Sequence, residues 1–96
     1  MYTIYKYPIT VTDRPTVKMP RGASVLSVQG QGMITYIWAI VDPKEPEENR
    51  EFYLQATGQP LEFEPSTTRF IGTFQLFEVR LVYHLFEIAR TQGEGK

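Results

Sequence analysis

The chain has 96 residues, 42% hydrophobic and 22% charged, with a net charge of −1, one histidine and no cysteine; these are values for one soluble globular domain with a single core. The missing cysteines exclude a disulfide framework and thiolate metal sites, and fit a reducing compartment. The near-zero charge lacks the basic surplus by which nucleic-acid binders release phosphate counterions, Arg14, Lys18 and Arg21 being the one local basic cluster.

Turn signals recur about every ten residues between β-branched and aromatic segments, the pattern of an antiparallel all-β domain. The first strand is predicted at Tyr2 to Pro8, with Ile4 on one side and Thr3, Tyr5 and Tyr7 on the other. Thr10 to Thr12 would extend it past Pro8, which would then mark an edge or a bulge. "TDRP" (Thr12 to Pro15) bends the chain into a short second strand at Thr16 to Met19. "MPRG" reads as a tight turn with Pro20 second and Gly22 fourth.

A third strand is expected at Ala23 to Gln29, and "GQG" (Gly30 to Gly32) as a hairpin connection. The fourth, "MITYIWAIVD" (Met33 to Asp42), is apolar on both faces and predicts a central strand covered on both sides. Two prolines make "DPKEPEEN" (Asp42 to Asn49) an acidic loop. A fifth strand follows at Glu51 to Thr57, then an irregular polar stretch from Leu61 to Thr68. The last two strands are Arg69 to Phe77 and Leu81 to Ile88, joined around Glu78 to Arg80. Leu81, Leu85 and Ile88 also fit helical spacing, so the alternative is an α+β fold with a C-terminal helix over 79–90. Val82, Tyr83 and Phe86 and the lack of an N-cap favour the strand. The expected whole is a single β domain over residues 1–90, a barrel or two-sheet sandwich of six to seven strands, with residues 91–96 as a fraying tail.

His84 is the first candidate for chemistry. A catalytic histidine needs a nucleophile to activate or a carboxylate to orient it. On a strand His84 shares its face with Val82 and Phe86, while Glu87 points the other way, so a structural histidine with hydrogen-bonded ring nitrogens is expected. Glu62 and Glu64 share one side of an extended segment, and paired carboxylates can support acid–base work or a divalent cation, although a solvated face is the simpler account. No phosphate loop, nucleophile elbow or calcium-loop pattern is present, so neither an enzyme nor a cofactor is expected. Candidate partner-binding residues are Tyr36 and Trp38 on the fourth strand, His84 and Phe86 on the last, and Glu45, Glu47 and Glu48 in the acidic loop.

The blocks "TIYKYPITVTD", "MPRGASVLSVQGQ", "WAIVDP", "TGQP" and "GTFQL…LVYHLFE", running from Tyr2 to Glu87, resemble a family of short, functionally uncharacterised proteins encoded mainly by bacteriophages, prophages and bacterial genomes. Where such proteins show a glycine-rich turn between the last two strands, this chain has "FEVR". The resemblance implies a phage-type accessory protein that binds a host or defence component in the host cytoplasm, and the aromatic surplus without a catalytic constellation points to an aromatic surface or the acidic loop as its means. The alternatives are a small virion or assembly component, and a ligand-sequestering pocket or small enzyme using His84 with Glu62, Glu64 or Tyr83. The N-terminus lacks the apolar run of a signal peptide, and no stretch reaches the roughly 20 apolar residues of a membrane span. More apolar surface than one small core can bury predicts a homodimer closing over Trp38 or Phe86.

Overall fold

The computed structural model describes residues 1–76 and 81–89. Seven strands run in chain order: β1 (Thr3–Ile9), β2 (Thr16–Pro20), β3 (Ser24–Gln31), β4 (Ile34–Val41), β5 (Glu47–Ala56), β6 (Thr68–Leu76) and β7 (Leu81–Ile88). All pairings are antiparallel, in a three-stranded sheet of order β1-β4-β3 and a four-stranded sheet of order β2-β5-β7-β6. The two stack as a sandwich. The all-β expectation holds, and the alternative helix over 79–90 is replaced by β7 across Leu81–Ile88, where β-branched and aromatic side chains suit a pleated surface. The turn expected at Glu78 to Arg80 and the tail at 91–96 lie outside the described residues.

Alternation places the core. Thr35, Ile37, Ala39 and Val41 point inward from β4, Val25 and Val28 from β3, and Ile9 and the half-buried Tyr7 from β1. They meet Val17 and Met19 of β2, Phe52 and Leu54 of β5, Phe74 of β6 and Leu85 of β7. Tyr7 lies near Glu47, and its phenol pKa is pushed up by burial first, then by the Glu47 carboxylate and by Tyr5.

The sheets also touch edge to edge where β3 meets β6. There Arg69 donates from Nη2 to the Val25 carbonyl at 2.8 Å. A bulge between Phe70 and Gly72 re-aims β6, and a Cβ on Gly72 would stand 3.1 Å from Val28 Cγ1. Glycine lets the two backbones approach there without pushing the Val28 methyl aside.

Several sequence expectations shift. Pro8 does lie in an edge strand, but pairing stops at Ile9, so Thr10 to Thr12 do not extend β1. The turn after β2 is one residue later than expected: the Ala23 amide donates to the Pro20 carbonyl at 3.1 Å, which puts Gly22 third, with φ +84°. That is the position where a type II turn needs a positive φ. Gly30 belongs to β3, so the hairpin turn is Gly32–Met33 and not the whole of "GQG". The acidic loop ends at Pro46; Glu47, Glu48 and Asn49 are strand residues paired with Pro20, Met19 and Lys18.

The larger correction concerns β4. It is central in its sheet, as expected, but it is not covered on both sides. Ile34 and Ile40 are 47% and 36% exposed, and Tyr36 and Trp38 are half-buried. A two-layer sandwich covers only the inner face of each sheet, and among the described residues no further layer lies over this one.

Among the described residues no helix is long and apolar enough to cross a membrane.

Candidate functional site

On the outer face of the four-stranded sheet, register brings aromatics from three strands into one row. Phe86 of β7 pairs with Tyr53 of β5 on one side and with Phe70 of β6 on the other. A fourth ring comes from the β5–β6 connection. Gln55 Nε2 donates to the carbonyls of Gln59 and Pro60 at 2.8 and 3.2 Å, which folds that segment back against β5. Phe63 then stacks on Tyr53, centroids 4.2 Å apart and planes 3° from parallel. Its edge meets Phe86 at 5.3 Å, and Phe86 lies 5.3 Å from Phe70. The Arg14 guanidinium sits over the far side of the row, 5.4 Å from the Tyr53 centroid, while pairing with Glu51 at 3.0 Å. The row is half-buried except at Phe70, which is 55% exposed.

His84 stands in the next row, between Gln55 of β5 and Thr73 of β6. Thr57 Oγ1 lies 2.7 Å from Nε2, and Thr73 Oγ1 lies 2.9 Å from Nδ1. Thr57 also donates its hydroxyl proton to the Val82 carbonyl at 3.2 Å. A hydroxyl has one proton; with it on the Val82 carbonyl, Thr57 accepts from Nε2–H, and Nδ1 accepts from the Thr73 hydroxyl. Both described side-chain partners of His84 are threonines.

Beside the row opens a cleft of about 470 Å³, with Arg14, Tyr53, Gln55, Glu62, Phe63 and Tyr83 among its walls. Glu64 is turned elsewhere: its carbonyl accepts from the Thr67 amide and hydroxyl, and its carboxylate from Ser66, at the 3₁₀ turn Pro65–Thr67. Glu62 and Glu64 therefore do not act as a pair. Among the described residues, no three His, Asp or Glu side chains converge as metal ligands would.

The structure separates the sequence-derived candidates into three places. His84 and Phe86 share the aromatic face. Tyr36 and Trp38 lie 6.2 Å apart on the outer face of the other sheet. Glu45, Glu47 and Glu48 sit at the β4–β5 end, with Glu45 3.7 Å from Arg21. Glu48 faces inward, 3.5 Å from Arg50, and accepts from the Gly22 amide at 3.4 Å. Sequence reasoning missed Tyr53, Phe63 and Phe70. Phe63 was legible as an aromatic alternating with Glu62 and Glu64, but the row itself depends on pairing register.

The chain belongs to the family described as Domain of unknown function (DUF7352), whose model matches residues 1–96. This agrees with the resemblance at the level of a family with no assigned function. No curated protein and no solved structure matches the chain.

Proposed function

We propose that this domain is a non-enzymatic accessory protein of phage type that binds a host or defence protein in the host cytoplasm through the aromatic face of the β2-β5-β7-β6 sheet. The observation that carries this reading is the row Tyr53–Phe63–Phe86–Phe70, anchored by ring contacts and open at Phe70. Rings held by one another lose little freedom when a partner docks, which favours binding over an equal area of mobile side chains. Aromatics and arginine are also the residue types that dominate binding hot spots, and Arg14 flanks the row. The expected result of affinity purification from host or phage-infected lysate is one discrete partner, retained by wild type and lost with Phe70→Glu and Phe86→Ala. Recovery of the same proteins by wild type and Phe70→Glu, or of none in repeated trials, counts against the reading.

A second reading is favoured by one observation, the cleft of about 470 Å³ walled by Tyr53, Phe63 and Tyr83, which is in the size range of small-molecule sites. There the domain would sequester a ligand. The two readings separate by residue: Arg14→Ala would weaken ligand capture, whereas Phe70 does not line the cleft.

A further inference from the structure

We propose that the outer face of the β1-β4-β3 sheet is covered by a second copy of this chain, in a two-fold dimer whose axis runs along β4. This surface is distinct from the aromatic face and does not depend on its function. Its centre is the strip Ile34, Tyr36, Trp38 and Ile40 on β4. Ile4, Lys6 and Pro8 flank it on β1, and Ser24, Ser27, Gln29 and Gln31 on β3. Leu26, in the β3 bulge, is 45% exposed, and Ile4 is 56% exposed. The apolar centre extends onto Ile4 and Pro8 of β1 and is bounded by the serines and glutamines of β3, and an apolar centre with a polar rim is the anatomy of a specific interface.

Charge argues for a copy of the same chain. Lys6 is the only charged side chain among the outward positions of these three strands, and the face holds no carboxylate. Lys6 is already occupied, 4.3 Å above the Tyr36 ring and 3.3 Å from Gln31 Oε1. A partner selected by charge would find little to read here, while two such faces meet without a field of like charges, and the chain's net charge of −1 adds little opposition. Size agrees as well. Three strands of about eight residues make a face of roughly 26 by 14 Å in plan. Its corrugated accessible surface is of the order of the ~800 Å² per partner of a standard interface.

The single cation fixes the axis. A two-fold across the strands at Trp38 would lay Lys6 over its own copy. A two-fold along β4 lays β1 of one chain over β3 of the other, so Lys6 exchanges its own Tyr36 ring and Gln31 for the Ser27, Gln29 and Gln31 oxygens of the copy, while Trp38 and its neighbours pack on themselves.

Sedimentation equilibrium over roughly 1–100 μM tests this, because interfaces of standard size commonly hold in that range. The wild type should sediment at about twice the 11.1 kDa of the chain. Ser27→Arg places a second cation against Lys6 of the copy and should weaken the dimer by roughly tenfold or more. Ser27→Glu, of similar bulk and opposite sign, should leave the dimer intact or tighten it, and Phe70→Glu on the opposite face should not change it. Ser27 is exposed, so both variants keep the monomer fold, checked by far-ultraviolet circular dichroism. A wild-type monomer throughout the range overturns the proposal. So does equal dissociation by Ser27→Arg and Ser27→Glu, or dissociation by Phe70→Glu alone.

Discussion

At His84 the two flanking strands supply one hydroxyl each, and the imidazole bridges the β5 end to β6 across β7. A Thr57 proton on the Val82 carbonyl goes with the neutral tautomer in which Nε2 carries the hydrogen and Nδ1 accepts. Nitrogen NMR above the imidazole pKa should show the Nε2–H pattern, and an Nδ1–H pattern would refute the assignment. His84→Ala removes both hydrogen bonds and the half-buried ring, and should destabilise the domain by about 1–3 kcal/mol in urea unfolding. A variant as stable as wild type would make the bridge irrelevant to folding. The surface pair Arg14–Glu51 differs in kind, because its side chains are 58% and 50% exposed and solvent screens the attraction.

At the scale of elements, the β6 bulge shows how one residue fixes an inter-sheet contact. Ile71 is the extra residue; Phe70 keeps its place opposite Phe86 on the outer face, and Gly72 falls opposite Leu85 on the inner one. There the backbone of β6 approaches Val28 of β3 too closely for any side chain to enter without displacement. Gly72→Val should therefore overpack the junction and cost about 1–3 kcal/mol, measured by chemical denaturation. In a Val28→Ala background the same substitution should cost clearly less, because the atom it meets is gone. Equal losses in both backgrounds would place the strain elsewhere. The β5–β6 connection shows a related economy: an irregular segment, tied by Gln55, carries the one ring that links Tyr53 to Phe86.

Across the whole molecule, a chain of charges runs through the sandwich end. Arg50 Nε donates to Glu87 at 2.6 Å, Glu48 lies 3.5 Å from the same guanidinium, and Arg69 lies 3.7 Å from Glu87 while bonding to β3. Arg50 and Glu87 are buried. The network thus joins β5, β7 and β6 to the opposite sheet. Arg50→Ala would leave the Glu87 carboxylate buried beside Glu48 without its close cation, at a cost of about 3–5 kcal/mol. Arg14→Ala, at an exposed pair, should cost under about 1 kcal/mol. Comparable losses for the two would show that the buried pair is as well solvated as the surface one.

The sequence by itself determined the all-β class, a count of six to seven strands, and which residues share a face in the strands without a bulge, because side chains alternate with a period of two whatever the strand pairs with. Parity alone put His84 with Phe86 and opposed it to Glu87, whereas Arg50, outside the fifth strand as expected from Glu51 to Thr57, was placed on the buried side of β5 by the structure. Turn residues were less decisive: proline and glycine marked the turn after β2, but only the Ala23–Pro20 hydrogen bond fixed its register. Only the tertiary structure decided that β4 is covered on one face, since an apolar outward row reads alike whether protein or solvent lies over it. Pairing register likewise set Tyr53 and Phe70 beside Phe86, and chain return set Phe63 upon Tyr53. Those are contacts between residues 10 to 33 positions apart, and local periodicity holds no record of which strand lies next to which.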